Sequence, residues 1–211
     1  MTFILPIDDI LNFWFGDATK SADALKKQAP LWYSGGKDVD LEIRDRFGAL
    51  FIPASDYYSG RSRGSSTWRE ASCRELLAAI ILFDQFSRNC FRRTARAFAF
   101  DRFAINILDV ALQQKCPECL HPIECIFLYM PLQHSEDLVR QHLGVAVFEE
   151  LLERTTAPFV EQVRGSLRHA LLHREIIETF GRFPHRNKVL LRQATGAETE
   201  YLNDAGKRFG Q

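Results

Sequence analysis

Apolar positions along the chain recur at helical spacing, and no stretch alternates with period two, so the pattern predicts an all-α protein. Pro6, Asp8 and Asp9 lead into ILNFWF, where acidic residues in a first turn favour the positive end of the helix dipole. A second helix carries Leu25 to Trp32. Gly35, Gly36 and Asp38 then break and restart the chain, and Val39, Ile43, Phe47 and Leu50 form the apolar stripe of a third helix. SGRSRGSS, from Ser59 to Ser66, reads as a solvated loop. Thr67 and Glu70 form a capping-box pattern ahead of LLAAIILF, which is apolar all round and therefore predicts a central helix.

Thr94 starts a further helix with Phe98, Ile105, Leu108 and Leu112 on one face. A short helix then carries Ile126 to Met130, Pro131 interrupts it, and Ser135 caps a new one whose first turn holds Glu136 and Asp137. A last long helix runs from about Pro158 to Phe180, and Thr195 with Glu198 repeats the capping-box pattern for a short terminal one. Short connections make consecutive helices antiparallel, in one domain spanning residues 1–211. Three apolar stretches end in conspicuously polar segments: DQFSRN (84–89), HSED (134–137) and FGRFPHRN (180–187). If Pro131 marks a chain reversal, all three meet at one end of the bundle. If it only kinks a continuous helix, FGRFPHRN lands at the other end.

Composition narrows the function classes. Lys plus Arg and Asp plus Glu both total 27, so the formal net charge is zero and nothing draws the whole surface to nucleic acid or anionic lipid. The N-terminal MTFILPIDDI lacks a basic n-region, and the longest strongly apolar run falls far below the roughly 18 residues a membrane span needs. These features predict a cytoplasmic protein with no membrane and no nucleic-acid partner. Five cysteines without a signal segment then read as reduced thiols, with Cys73 and Cys90 as small core residues. Cys116, Cys119, His121 and Cys125 lie close enough to resemble a soft-metal site, but a single CxxC with no second paired half reads as a loop, and no metal or cofactor is expected. No Gly-rich phosphate loop, nucleophile elbow or dinucleotide fingerprint occurs.

The candidate chemistry lies in the three polar segments. Asp84 follows eight apolar residues on a helix with no exposed face, so its carboxylate is buried and needs a partner; Arg88 is one turn on, with Gln85 and Asn89 as a parallel row. The pair either closes a helix end or, with Arg92 and Arg96, binds an anionic group. His134 stands at a helix break beside Glu136 and Asp137, a setting for a general base oriented by an acid, although the helix dipole alone also accounts for the carboxylates. His169 and His173 lie one turn apart, but Ala170 stands where a zinc-protease HExxH pattern requires Glu, so His173 reads as a hydrogen-bonded interface histidine. Arg182, His185, Arg186 and Asn187 crowd one Pro-containing turn with more hydrogen-bonding groups than capping needs.

With ILNFWF, LWYSGG, DLEIRDRFGAL, DQFSRN, PLQHSEDL and HREIIETFGRFPHRN in that order, the chain resembles the bacterial family labelled domain of unknown function 924, from about Ile10 to Leu202. The resemblance implies antiparallel, tetratricopeptide-like helical hairpins in a right-handed superhelix or bundle, and it brings no established activity. No repeat of about 34 residues is visible in the chain itself. Members commonly read DQFPRN followed by YRGT; here Ser87 replaces the Pro and Arg93 the Gly. Asp84, Gln85, Arg88, Asn89, Arg92, His134, Ser135, Glu136, Asp137, His173, Arg182, His185, Arg186 and Asn187 match the family pattern.

The sequence therefore leads to a binding module whose pocket of Arg, His and carboxylate side chains takes an anionic small molecule or a peptide. The alternative is a hydrolase-type enzyme with His134, Glu136 or His185 as catalytic group and Arg182 stabilising developing negative charge.

Overall fold

A computed structural model of the protein describes residues 3–61 and 65–203, with the side chains of residues 65–67 left aside. The described residues form helices and turns and no strand. Helix α1 (Ile7–Phe15) starts after Pro6 and buries Ile10, Leu11, Trp14 and Phe15. Helix α2 (Ala22–Tyr33) starts at Ser21, whose hydroxyl oxygen accepts the Ala24 N–H, satisfying one of the free donors of the first turn. The Gly35–Gly36 break is real, and α3 (Gly36–Phe47) follows it. Its stripe does not continue as one helix to Leu50: a 3-10 turn at Gly48–Leu50 leads into a separate α4 (Phe51–Tyr58).

The apolar run from Leu76 to Phe83 is fully buried at every position, so the helix it predicts sits in the centre. It is built as α5 (Cys73–Ile80), a π-helical turn (Ile81–Phe86) and a short α6 (Ser87–Cys90). The cap differs from the predicted one. Ser72 and Glu75 have the same S-x-x-E spacing as Thr67 and Glu70 but stand closer to the apolar run, and Ser72 accepts the Glu75 N–H; Ser65–Glu70 forms a 3-10 turn, and the Thr67 side chain lies outside the description. Residues 62–64 of the predicted solvated loop also lie outside it.

Thr94 does not start an α-helix. Its hydroxyl donates to the Phe91 carbonyl, a 3-10 turn follows at Ala95–Phe98, and α7 spans Asp101–Gln113. Helix α8 (Pro122–His134) is capped by a reciprocal pair: the His121 ring accepts the Ile123 N–H while Glu124 accepts the His121 N–H. Pro131 lies within α8 and marks no reversal. In the last turn its missing N–H costs little more than the bond to one carbonyl, so the helix continues through it to His134. The chain reverses at 135–137 instead, and Asp137 rather than Ser135 caps α9 (Leu138–Arg154), accepting the Val139 and Arg140 N–H groups. Helix α10 (Val160–Phe180) begins two residues after Pro158 and ends at Gly181, whose φ of 66° is the left-handed conformation that glycine enters without strain. The Thr195–Glu198 capping box forms and opens α11 (Gly196–Asn203).

Helices α8, α9 and α10 pack as consecutive neighbours. At Gly144 a Cβ would come 3.2 Å from the Leu132 Cβ, so the missing side chain lets α9 lie close against α8. One contiguous core extends from Leu5 to Ala170, and a small second cluster of Ile176, Ile177 and Phe183 seats the end of α10.

The cysteines depart from the sequence reading. Cys73 and Cys116 form a disulfide, leaving Cys90, Cys119 and Cys125 free. Cys73 opens α5 and Cys116 follows α7, so two helices that pack together bring distant thiols into reach, which spacing along the chain cannot show. The bond removes the reduced-thiol argument and takes Cys116 out of any metal set. Among the described residues no helix is long and apolar enough to cross a membrane.

Candidate functional site

Fully buried Asp84 sits in the π-helical turn at the end of the central run. It does not depend on the Arg88 pair alone. His134, the last residue of α8, places Nδ1 2.8 Å and 2.9 Å from its two carboxylate oxygens, and Gln85 donates to the same group. Arg88 lies 3.3 Å from Asp84 but makes its two-pronged contact with Asp101, at 3.0 and 3.1 Å. Asn89 and Arg92 both turn to Asp40 on α3, Arg92 at 2.6 and 2.9 Å and Asn89 at 2.8 Å. The row read as amides and cations on one helix is thus tied to two acids, Asp40 and Asp101, that sequence reasoning passed over.

Part of this network opens onto a cleft of about 1050 Å³. Gln85, Arg88, Asn89, Arg92, His134 and His173 line it from the predicted set. Trp32 to Lys37 with Asp40 line it as well, as do Trp14, Met130 and Gln133. Helix α10 adds Gln162, Ser166 and His169, and Tyr33 accepts a hydrogen bond from Gln162 at 2.9 Å. The LWYSGG block held a signal for this lining: two adjacent aromatics before a glycine pair give a flat apolar surface at a chain break.

FGRFPHRN is beside the site rather than in its wall. The three polar segments do converge: the Phe183 N–H donates to Glu136 at 2.8 Å, and Arg186 donates to the His134 carbonyl at 2.9 Å. Arg182 is held by buried Glu198 at 2.6 and 2.8 Å, and Arg192 ties Glu136 to Asn187. Neither Arg182, His185 nor Asn187 lines this cleft or the neighbouring hollow. Glu136, Asp137 and Arg186 face a second hollow of about 570 Å³ with Asp101 and Arg140, and His134 borders both cavities.

Burial alone would raise the Asp84 carboxyl, but the charge of Arg88 and the contact with His134 hold it below the usual carboxylate range. Burial first, then the Arg88 charge, lowers His134 against the opposing pull of Asp84, so its imidazole stays neutral near pH 7. With Nδ1 donating to Asp84, the neutral ring carries its lone pair on Nε2. His173 is buried with Nδ1 2.9 Å from the Gln133 carbonyl, and burial together with His134 pushes it down to about 3. Such a site can hold an anion, and its Asp–His pair has the connectivity of an oriented general base. Among the described residues no group of three or more His, Cys, Asp or Glu side chains is arranged to hold a metal ion.

A family model described as a bacterial protein of unknown function (DUF924) matches residues 10–206. A solved structure of a protein of unknown function from Agrobacterium tumefaciens is similar over 94% of this chain and 97% of its own, at 31% identity and a TM-score of 0.73. No curated protein matches the chain.

Proposed function

The chain belongs to the bacterial DUF924 family, and we propose that its larger cleft binds a small molecule carrying an anionic group beside a flat apolar one. The observation that carries this reading is the sign of the lining: Lys37, Arg88, Arg92 and Arg93 face a single carboxylate, Asp40, in a protein of zero formal charge. Arg88 and Arg92 are held by acids, whereas Lys37 and Arg93 are exposed at the rim and form no ion pair among the described residues. Trp14, Leu31, Trp32 and Met130 supply the apolar surface, and the volume suits a small ligand. The tetratricopeptide-like superhelix belongs to this reading too, supported by the stacking of α8, α9 and α10; such stacks create concave binding surfaces.

Thermal melts with mono- and dicarboxylates, aryl phosphates and their neutral esters test the proposal. Saturating anion raises Tm in the wild type and not in the Lys37→Ala/Arg93→Ala double variant. Melts unmoved by every anion would discard it. A hydrolase-type reading is favoured by one observation: buried Asp84 holds Nδ1 of a histidine that borders the cleft.

A further inference from the structure

Along one face of α8, Phe127, Met130 and His134 follow at i, i+3 and i+7. Phe127 belongs to an aromatic group, with ring centroids 5.4 Å from Trp14 and 4.8 Å from Trp32. From the other end of α8, contacts run through His134 to Asp84, then Arg88 one turn on, then Arg92 and its clamp on Asp40. Lys37 lies one turn before Asp40 on α3, and Arg93 follows Arg92. The imidazole therefore stands between an apolar aromatic end and a cationic end of one cleft.

We infer that this cleft hydrolyses carboxylic esters joining a flat, apolar alcohol part to a short anionic acyl part, with His134 taking the proton from the attacking water. The inference rests on the anion-binding reading and adds chemistry to it. Water is the nucleophile because no Ser, Thr or Cys side chain is bonded to His134 among the described residues; of the lining hydroxyls, Ser166 donates to the Gln162 carbonyl at 3.2 Å, Tyr33 is joined to Gln162, and Ser34 has no bond to the imidazole.

The water oxygen bonds to the ester carbonyl carbon as one of its protons passes to His134 Nε2, and the carbonyl π pair moves onto oxygen. Asp84 stays ionised and stabilises the imidazolium through Nδ1, while Arg88 beside it offsets the charge on the tetrahedral oxyanion. Collapse re-forms the carbonyl and breaks the bond to the alkoxy oxygen, which leaves as the alcohol with the proton from His134. One ester and one water give one carboxylic acid and one alcohol, and His134 returns to its neutral form.

4-Nitrophenyl hemisuccinate and 4-nitrophenyl butyrate test this, since their acyl chains are of the same length with and without a terminal carboxylate. Wild type turns over the hemisuccinate with kcat/KM on the order of 10-fold above the butyrate, the worth of one ionic contact of about 1.4 kcal/mol. Lys37→Ala/Arg93→Ala raises KM for the hemisuccinate alone. His134→Gln, checked for unchanged helicity, lowers kcat by about 10²–10⁴. Equal turnover by wild type and folded His134→Gln overturns the proposal. Should that variant not fold, the pH profile decides: kcat/KM that does not fall in acid, as the base becomes protonated, overturns it equally. N-Phenylsuccinamic acid, the amide counterpart of the phenyl ester, separates the two readings by calorimetry. Binding of the amide with no ester turnover removes the hydrolysis and leaves the binding cleft, whereas neither binding nor turnover removes both.

Discussion

His134 Nδ1 lies 2.8 Å from one carboxylate oxygen of Asp84 and 2.9 Å from the other, so two residues from separate helices share a contact that leaves Asp84 with no exposed surface. The pair joins the central run to the end of α8. It also places a neutral histidine where protonation works against the fold.

Acid should unfold this protein from an unusually high starting pH. Burial, then the Arg88 charge, lowers His134; burial, then His134, lowers His173 to about 3; burial, then Arg186, lowers His185 to about 3. In the unfolded chain each takes up a proton around pH 6.5, so below that pH the unfolded state binds more protons and stability falls until the folded pKa is reached. Asp84, depressed in the fold, adds to the loss only below about pH 4, where its unfolded form protonates. Each histidine contributes a slope of about 1.4 kcal/mol per pH unit. Urea unfolding between pH 8 and pH 5 reads the slope, and His173→Asn should flatten it by about one histidine's share. Stability independent of pH over that range would contradict the burial of these rings.

Arg93 adopts a φ of 63°, the left-handed region, at the position where the family resemblance places a glycine. Arg93→Gly should therefore stabilise the fold by about 1 kcal/mol, the strain of an L side chain less the entropy glycine brings to the unfolded state. The same change removes a rim cation from the cleft, so it should weaken anion binding as it raises the urea midpoint. A midpoint that falls would show that the turn has no strain to release.

The Cys73–Cys116 disulfide closes a loop with a sequence separation of 43. Under denaturing, non-reducing conditions, alkylation followed by mass measurement should count three thiols, Cys90, Cys119 and Cys125, and five after reduction. Cys73→Ser/Cys116→Ser should cost about 2–4 kcal/mol through the freed entropy of that loop. Five reactive thiols before reduction would remove the bond from the fold.

Local signals were legible where one element decides the outcome. Eight apolar residues in a row demanded a central helix, and Asp84 at its end had to be buried with a partner. The partner itself was not legible, because Arg88 at i+4 is the local choice and His134, 50 residues along the chain, arrives only through the packing of α8 on the π-helical turn. The surplus polar groups of FGRFPHRN invited a pocket wall, yet Glu198 and Arg192 absorb Arg182 and Asn187 from farther along the chain. The lining from Trp32 to Lys37 showed in the sequence as two aromatics before a glycine pair, and packing shows that it faces the cleft together with Asp40.

His134 borders both the larger cleft and the second hollow, so the residue proposed as the base is shared by two cavities. Trimming it to alanine would change the lining of both at once. Glutamine, which keeps most of the bulk, is the substitution that separates lost chemistry from a changed cavity.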